Sequence, residues 1–133
     1  MRILSKSLST LAVMMLVACS GHSPEDTAKD FTQKSYEGDA DAVIAMIHIP
    51  DQEKNKPGVE DMLNGKVKAA VARGKAYAEQ HGGIDEVSAD PAVISGENND
   101  IARVEVHTRF KQGQTKDDNV RLIKTDDGWK VRL

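Results

Sequence analysis

Ala102-Arg103-Val104-Glu105-Val106-His107-Thr108-Arg109-Phe110 alternates without a break. Ala102, Val104, Val106, Thr108 and Phe110 occupy one set of positions, and Arg103, Glu105, His107 and Arg109 the other. Successive side chains of a strand point to opposite faces, so this period of two predicts a strand with one face buried and one in water. The same reading extends to both sides. Ile84 to Ser95 reads as a first strand, with Pro91 implying an edge or a bulge, and Glu97 to Asp100 as a turn. Gln112 to Thr115 turns, Val120 and Leu122 mark a third strand, and Thr125-Asp126-Asp127-Gly128 turns again. In the last strand Trp129, Val131 and Leu133 alternate with Lys130 and Arg132, which makes Trp129 a core residue.

Upstream the period changes. Ser23-Pro24-Glu25-Asp26 is a helix start, with Ser23 as cap, Pro24 at the first helical position and two acids at the positive end. Ala28, Phe31, Ser35 and Tyr36 recur on one face, Gly38 ends the helix, and Asp39 caps a second helix over about Ala40 to Ile47 that Pro50 stops. Asp51 to Gly58 is polar, holds Pro57 and reads as a loop. From Val59 to Gln80, Val59, Met62, Leu63, Val67, Ala70, Val71, Gly74, Tyr77 and Ala78 form one helical stripe. Its small residues Ala69, Ala70 and Gly74 predict a close approach to a sheet, and His81-Gly82-Gly83 ends it. Helices followed by an antiparallel meander give an α+β fold: about three helices packed on a curved, four-stranded sheet.

The N-terminal segment reads differently. Arg2 and Lys6 precede an apolar run from Leu8 to Ala18, and Ala18-Cys19 closes it. This is the order of a secretory signal, and it is too short for a spanning helix, which needs about 20 apolar residues. Leu16-Val17-Ala18-Cys19 resembles a bacterial lipobox, which implies a diacylglyceryl group on the Cys19 thiol and cleavage just before it. The expected organisation is therefore a signal at 1–18, a lipidated tether at 19–23 and a domain at 24–133. Ser20 follows the cysteine where the family's inner-membrane retention signal is Asp, which implies the outer membrane in a double-membraned cell.

Removing 1–18 takes away Arg2 and Lys6 and no acid, so 18 bases and 21 acids become 16 and 21, a net charge of −5. That balance argues against general nucleic-acid binding and leaves membrane attachment to the acyl chains.

The order of elements is similar to the nuclear-transport-factor-2-like (NTF2-like) superfamily, cystatin-like in its broad sense, and more closely to its small lipoproteins of unknown function. The residues that carry the resemblance run from Ser23-Pro24-Glu25-Asp26-Thr27-Ala28-Lys29-Asp30-Phe31 through Tyr36-Glu37-Gly38-Asp39-Ala40-Asp41-Ala42. At the far end they are Val120-Arg121-Leu122-Ile123-Lys124, Asp127-Gly128 and Trp129-Lys130-Val131. The resemblance implies a cone of helices and curved sheet, often with a pocket that enzyme members line with Asp and His. These motifs are structural and speak for fold more than for activity.

Tyr36, His48 and Thr108 are the candidate pocket residues. Arg103, Arg109, Arg121, Lys130 and Arg132 share the polar sheet face and form a candidate basic surface for an anionic partner or lipid headgroups. His22, His48, His81 and His107 lack metal-ligand spacing, with His107 on the solvent face, so no metal and no cofactor are expected. Asp117-Asp118 and Asp126-Asp127 read as turn residues, leaving no carboxylate on an apolar face. The resulting expectation is a non-enzymatic module that binds another envelope component. The alternatives are a carrier of a small apolar ligand in the cone and an enzyme using His48.

Overall fold

The computed structural model describes residues 22–133. Cys19 and the segment 1–18 read above as an export signal lie outside them.

Helix α1 spans Pro24–Glu37. Ser23 Oγ accepts from the Asp26 N–H at 3.1 Å, and Gly38 ends the helix at φ 88°, a left-handed conformation that costs glycine little. Asp39 then caps α2, Ala40–Ala45, by accepting from the Ala42 N–H. The polar stretch read as a loop contains a short helix, α3, Asp51–Lys54. Pro50 explains it: its fixed φ starts the turn, and its carbonyl accepts from the N–H groups of Glu53 and Lys54. Helix α4 runs Val59–Gln80, as its stripe predicts.

The sheet holds β1 (Ile84–Ala89), β2 (Val93–Ser95), β3 (Ile101–Phe110), β4 (Thr115–Thr125) and β5 (Gly128–Val131). All pairings within it are antiparallel, in the order β1-β3-β4-β5, with β2 also on β3. The first strand read from the sequence is thus two strands. Pro91 has no N–H to give the ladder, so pairing stops beside it and resumes at Val93. In the other direction β4 is longer than its two apolar markers suggest. The tight connection Lys111–Gln114 brings the chain straight back onto β3, and Thr115 pairs with Arg109, Asp117 with His107 and Asp118 with Val106. Asp117 and Asp118 are therefore strand residues and not turn residues. β5 pairs with Leu122–Thr125 alone, so β4 runs on beyond it as an edge.

The alternating residues of β3 face the helices as read: Ala102, Val104, Val106, Thr108 and Phe110 are all buried. Val43, Val67, Val71, Leu122 and Val131 close the core above and beside them. Trp129 packs half-buried against this cluster, whereas Leu133 is 66% exposed and lies past the end of β5. α4 packs chiefly on α1 and α2. Its Gly74 serves α1 rather than the sheet, since a Cβ there would come within 3.3 Å of the Ser35 carbonyl oxygen, and Ala69 and Ala70 are exposed. Among the described residues no helix is long and apolar enough to cross a membrane.

Candidate functional site

The helices do not close over the sheet along α4. Three depressions open there, and Leu133 borders all of them. The first, about 400 Å³, lies between α1, α4 and β4 and is lined by Phe31, Tyr36, Gly74 and Asp118 among others. A second of about 350 Å³ shares Phe31, Ser35 and Ala70 with it and adds Val43, Val67 and Val71. The third, about 780 Å³, shares Ile47, Leu63 and Lys66 with the second and adds Ile49, Met62, Ile101 and Ile123. Together they make one groove with a polar end and a long apolar end.

Asp118 marks the polar end. Its pairing opposite Val106 turns its side chain to the helix-covered face, so a carboxylate does lie on an inward strand position. Tyr36 donates its hydroxyl to Asp118 Oδ2 at 3.1 Å, and its ring meets Phe110 edge-on at 5.2 Å. Burial, then the neighbouring Asp118 charge, raise the Tyr36 phenol well above its ordinary value, so it stays a donor. Alternation around Val120 and Leu122, continued two residues upstream, is the signal that would have placed Asp118 inward.

The three candidate pocket residues do not converge. Tyr36 lines the polar end. His48 lies in the third depression, where its backbone N–H donates to the Val131 carbonyl at 2.7 Å, and its ring makes no hydrogen bond among the described residues. Thr108 is packed in the core at 1% exposure because it continues the buried parity of β3, and its Oγ1 has no hydrogen-bond partner among the described residues.

The proposed basic surface also divides. Arg103 pairs directly with Arg121, so these two stand side by side on the sheet, whereas Arg132, whose N–H donates to the Arg121 carbonyl past the end of β5, borders the first and third depressions. Arg109 stands apart, held by Asp85 at 2.9 Å and Glu86 at 3.0 Å. Lys130 donates to the Ala45 carbonyl at 3.2 Å.

His107 faces outward as read, but it is engaged on both sides. Nδ1 lies 2.7 Å from Asp117 Oδ1 and Nε2 3.1 Å from Asp90 Oδ2. The hydrogen bond to Asp117, then that to Asp90, raise its pKa from 6.5 to about 9. A raised value in the folded state stabilises the fold fully below the unfolded value of 6.5, and that contribution disappears as pH rises through about 9. In chelator-treated protein, the Tm advantage of wild type over His107→Gln is expected to be largest at about pH 6 and to shrink as pH rises from 6.5 to about 9. An unchanged difference across that range would contradict the bridge.

A family model described as a domain of unknown function, DUF4878, matches residues 17–132. The chain belongs to the DUF4878 family. A crystal structure from Campylobacter jejuni, of a protein called a "putative NTF2-like transpeptidase", is similar to this DUF4878 chain at 29% identity and a TM-score of 0.76. The match covers 84% of this chain and 99% of that one. The comparison with curated proteins gave no match. The DUF4878 domain here thus has an NTF2-like α+β fold, its helices followed by a curled antiparallel sheet.

Proposed function

We propose that this chain is a lipid-anchored protein of the cell envelope that binds, without catalysis, an extended apolar segment of another envelope protein. The observation that carries the reading is the groove along α4. Its floor is the packed core, with Phe110, Leu122, Val104 and Val106 almost fully buried beneath, so a ligand has to lie along the rim. The rim itself is apolar and open, with Met62 57% exposed. Side chains for acid/base work stand apart in it. Ser35 Oγ donates to the Phe31 carbonyl, and His48 is at the opposite end from Asp118. This separation speaks for binding rather than the acyl transfer suggested by the name of the Campylobacter jejuni protein, since a nucleophile needs its base within hydrogen-bond reach.

The anchor reading rests on Leu16-Val17-Ala18-Cys19 and on Ser20, which favours the outer membrane, facing the periplasm. Attachment then comes from acyl chains on Cys19.

A photo-crosslinking residue at Met62, in intact cells, tests the groove. A discrete protein adduct is expected from Met62 and not from the exposed position Glu79 on the same helix. Adducts with small molecules alone would replace this reading by that of a carrier, and identical patterns from both positions would overturn the groove as a binding site.

A further inference from the structure

On the outer sheet face, away from the groove, Asp90, Glu105 and His107 each turn one ligand atom to a common point, all within 4.8 Å of one another. The placement follows from the fold. Glu105 and His107 are two residues apart on β3 and share its outer face. Asp90 is fixed beside them where Pro91 ends β1, its N–H donating to the Glu105 carbonyl at 2.9 Å. From the far side Asp117 on β4 holds His107 Nδ1, which directs Nε2 at Asp90.

An ion pair accounts for part of this cluster but not for all of it. His107 bridges Asp90 and Asp117, yet the Glu105 carboxylate has no hydrogen-bond or ion-pair partner among the described residues and still crowds the same point. The protonated His107 ring answers the Asp90 charge, but the Glu105 carboxylate beside it adds a second negative charge that a divalent cation at this point would balance.

We propose that Asp90, Glu105 and His107 form a binding site for a divalent transition-metal cation, with Zn²⁺ the best match to the donors. One imidazole nitrogen and two carboxylate oxygens suit a borderline ion, and the two negative charges balance its charge. Metal–ligand bonds of about 2.0–2.1 Å in tetrahedral geometry set donors about 3.4 Å apart. The His107–Asp90 pair, at 3.1 Å, is already near that spacing, and Glu105, within 4.8 Å of both, has to close by at most about 1.4 Å. On binding, the Nε2 proton leaves to solvent and the metal takes its place, while Nδ1–H stays on Asp117. Asp117 is then a positioning residue, holding the tautomer and ring direction. The remaining coordination position opens to water.

Calorimetric titration of the chelator-stripped full chain with ZnCl₂ tests the site, with the Cys19 thiol lipidated or alkylated so that it takes no metal. One saturable equivalent is expected. His107→Gln and Glu105→Gln should each weaken it at least tenfold, and Asp117→Asn about 10–100-fold, while Arg103→Gln leaves it unchanged. Circular dichroism confirms that each variant is folded. Glu105→Gln is the sharper arm, because that carboxylate takes no part in the His107 ion pairs. Absence of saturable heat, or binding undiminished in both Glu105→Gln and His107→Gln, would overturn the assignment.

Discussion

Phe110→Ala is expected to cost about 3–5 kcal/mol of folding stability, the range for emptying a buried aromatic position. Phe110 closes the long strand β3 at 1% exposure, and it is where three parts of the fold meet. Tyr36 of α1 and Tyr77 of α4 both present ring edges to it, at 5.2 and 5.3 Å, and Ile84 of β1 pairs with it across the sheet. Such aromatic contacts contribute about 0.5–1.5 kcal/mol beyond area burial, so truncation removes packing as well as leaving a void. A small domain holds about 5–15 kcal/mol in all, and the variant should approach the folding threshold. Urea unfolding followed by Trp129 fluorescence checks this, with a lower midpoint expected at an unchanged slope. Should the alanine variant aggregate, Phe110→Leu, a smaller truncation, is expected to show the same effect in milder form. A loss below about 1 kcal/mol for alanine, within the usual scatter of surface substitutions, would mean that the aromatic cluster does not hold helices to sheet.

Cys19→Ser is expected to abolish lipid anchoring altogether while leaving the domain intact. Lipid transfer of the kind the lipobox implies needs a thiol, since a thiolate is a far better nucleophile at neutral pH than a serine hydroxyl. Without the diacylglyceryl group the lipobox peptidase has no substrate, so the signal at 1–18 should be retained. A single acyl chain gives marginal, reversible binding, and stable attachment takes two, which is what a diacylglyceryl group supplies. Intact-mass analysis decides the outcome. The wild-type membrane form should begin at Cys19 and carry acyl mass, and the variant should retain the signal without it. A wild-type chain without acyl mass would refute the anchor.

What the sequence made legible depended on whether one strand or helix carried its own pattern. β3 and α4 did: the bounds of both and the buried face of β3 follow from their periods, while on α4 Val67, Val71 and Ala78 are buried and Met62 and Ala70 of the stripe are exposed. β4 did not. Its first half, Thr115 to Asn119, is polar on both faces, so the inward turn of Asp118 shows only in the alternation carried upstream from Val120 and Leu122 and in the pairing with β3, not in its own polarity. The groove was hidden for a related reason. Met62, Ile123 and Leu133 come from three distant segments, and an exposed Leu133 reads as the next beat of a strand that has already ended. The outer-face cluster needed Asp90 set beside Glu105, which follows from the break at Pro91.

For a protein anchored as proposed, with copies meeting in two dimensions, the overhang of β4 past β5 has a consequence. An open strand edge is a template for pairing with another copy, and tethering to one surface raises the rate at which edges meet. Here the exposed edge carries Lys116, Asp117, Asp118 and Asn119, four polar residues in succession. To add a further strand, a second copy has to strip these charged groups of water and bring its Asp117–Asp118 carboxylates close to their counterparts. The same polar run that obscured β4 in the sequence therefore disfavours the stacking of copies into a continuous sheet.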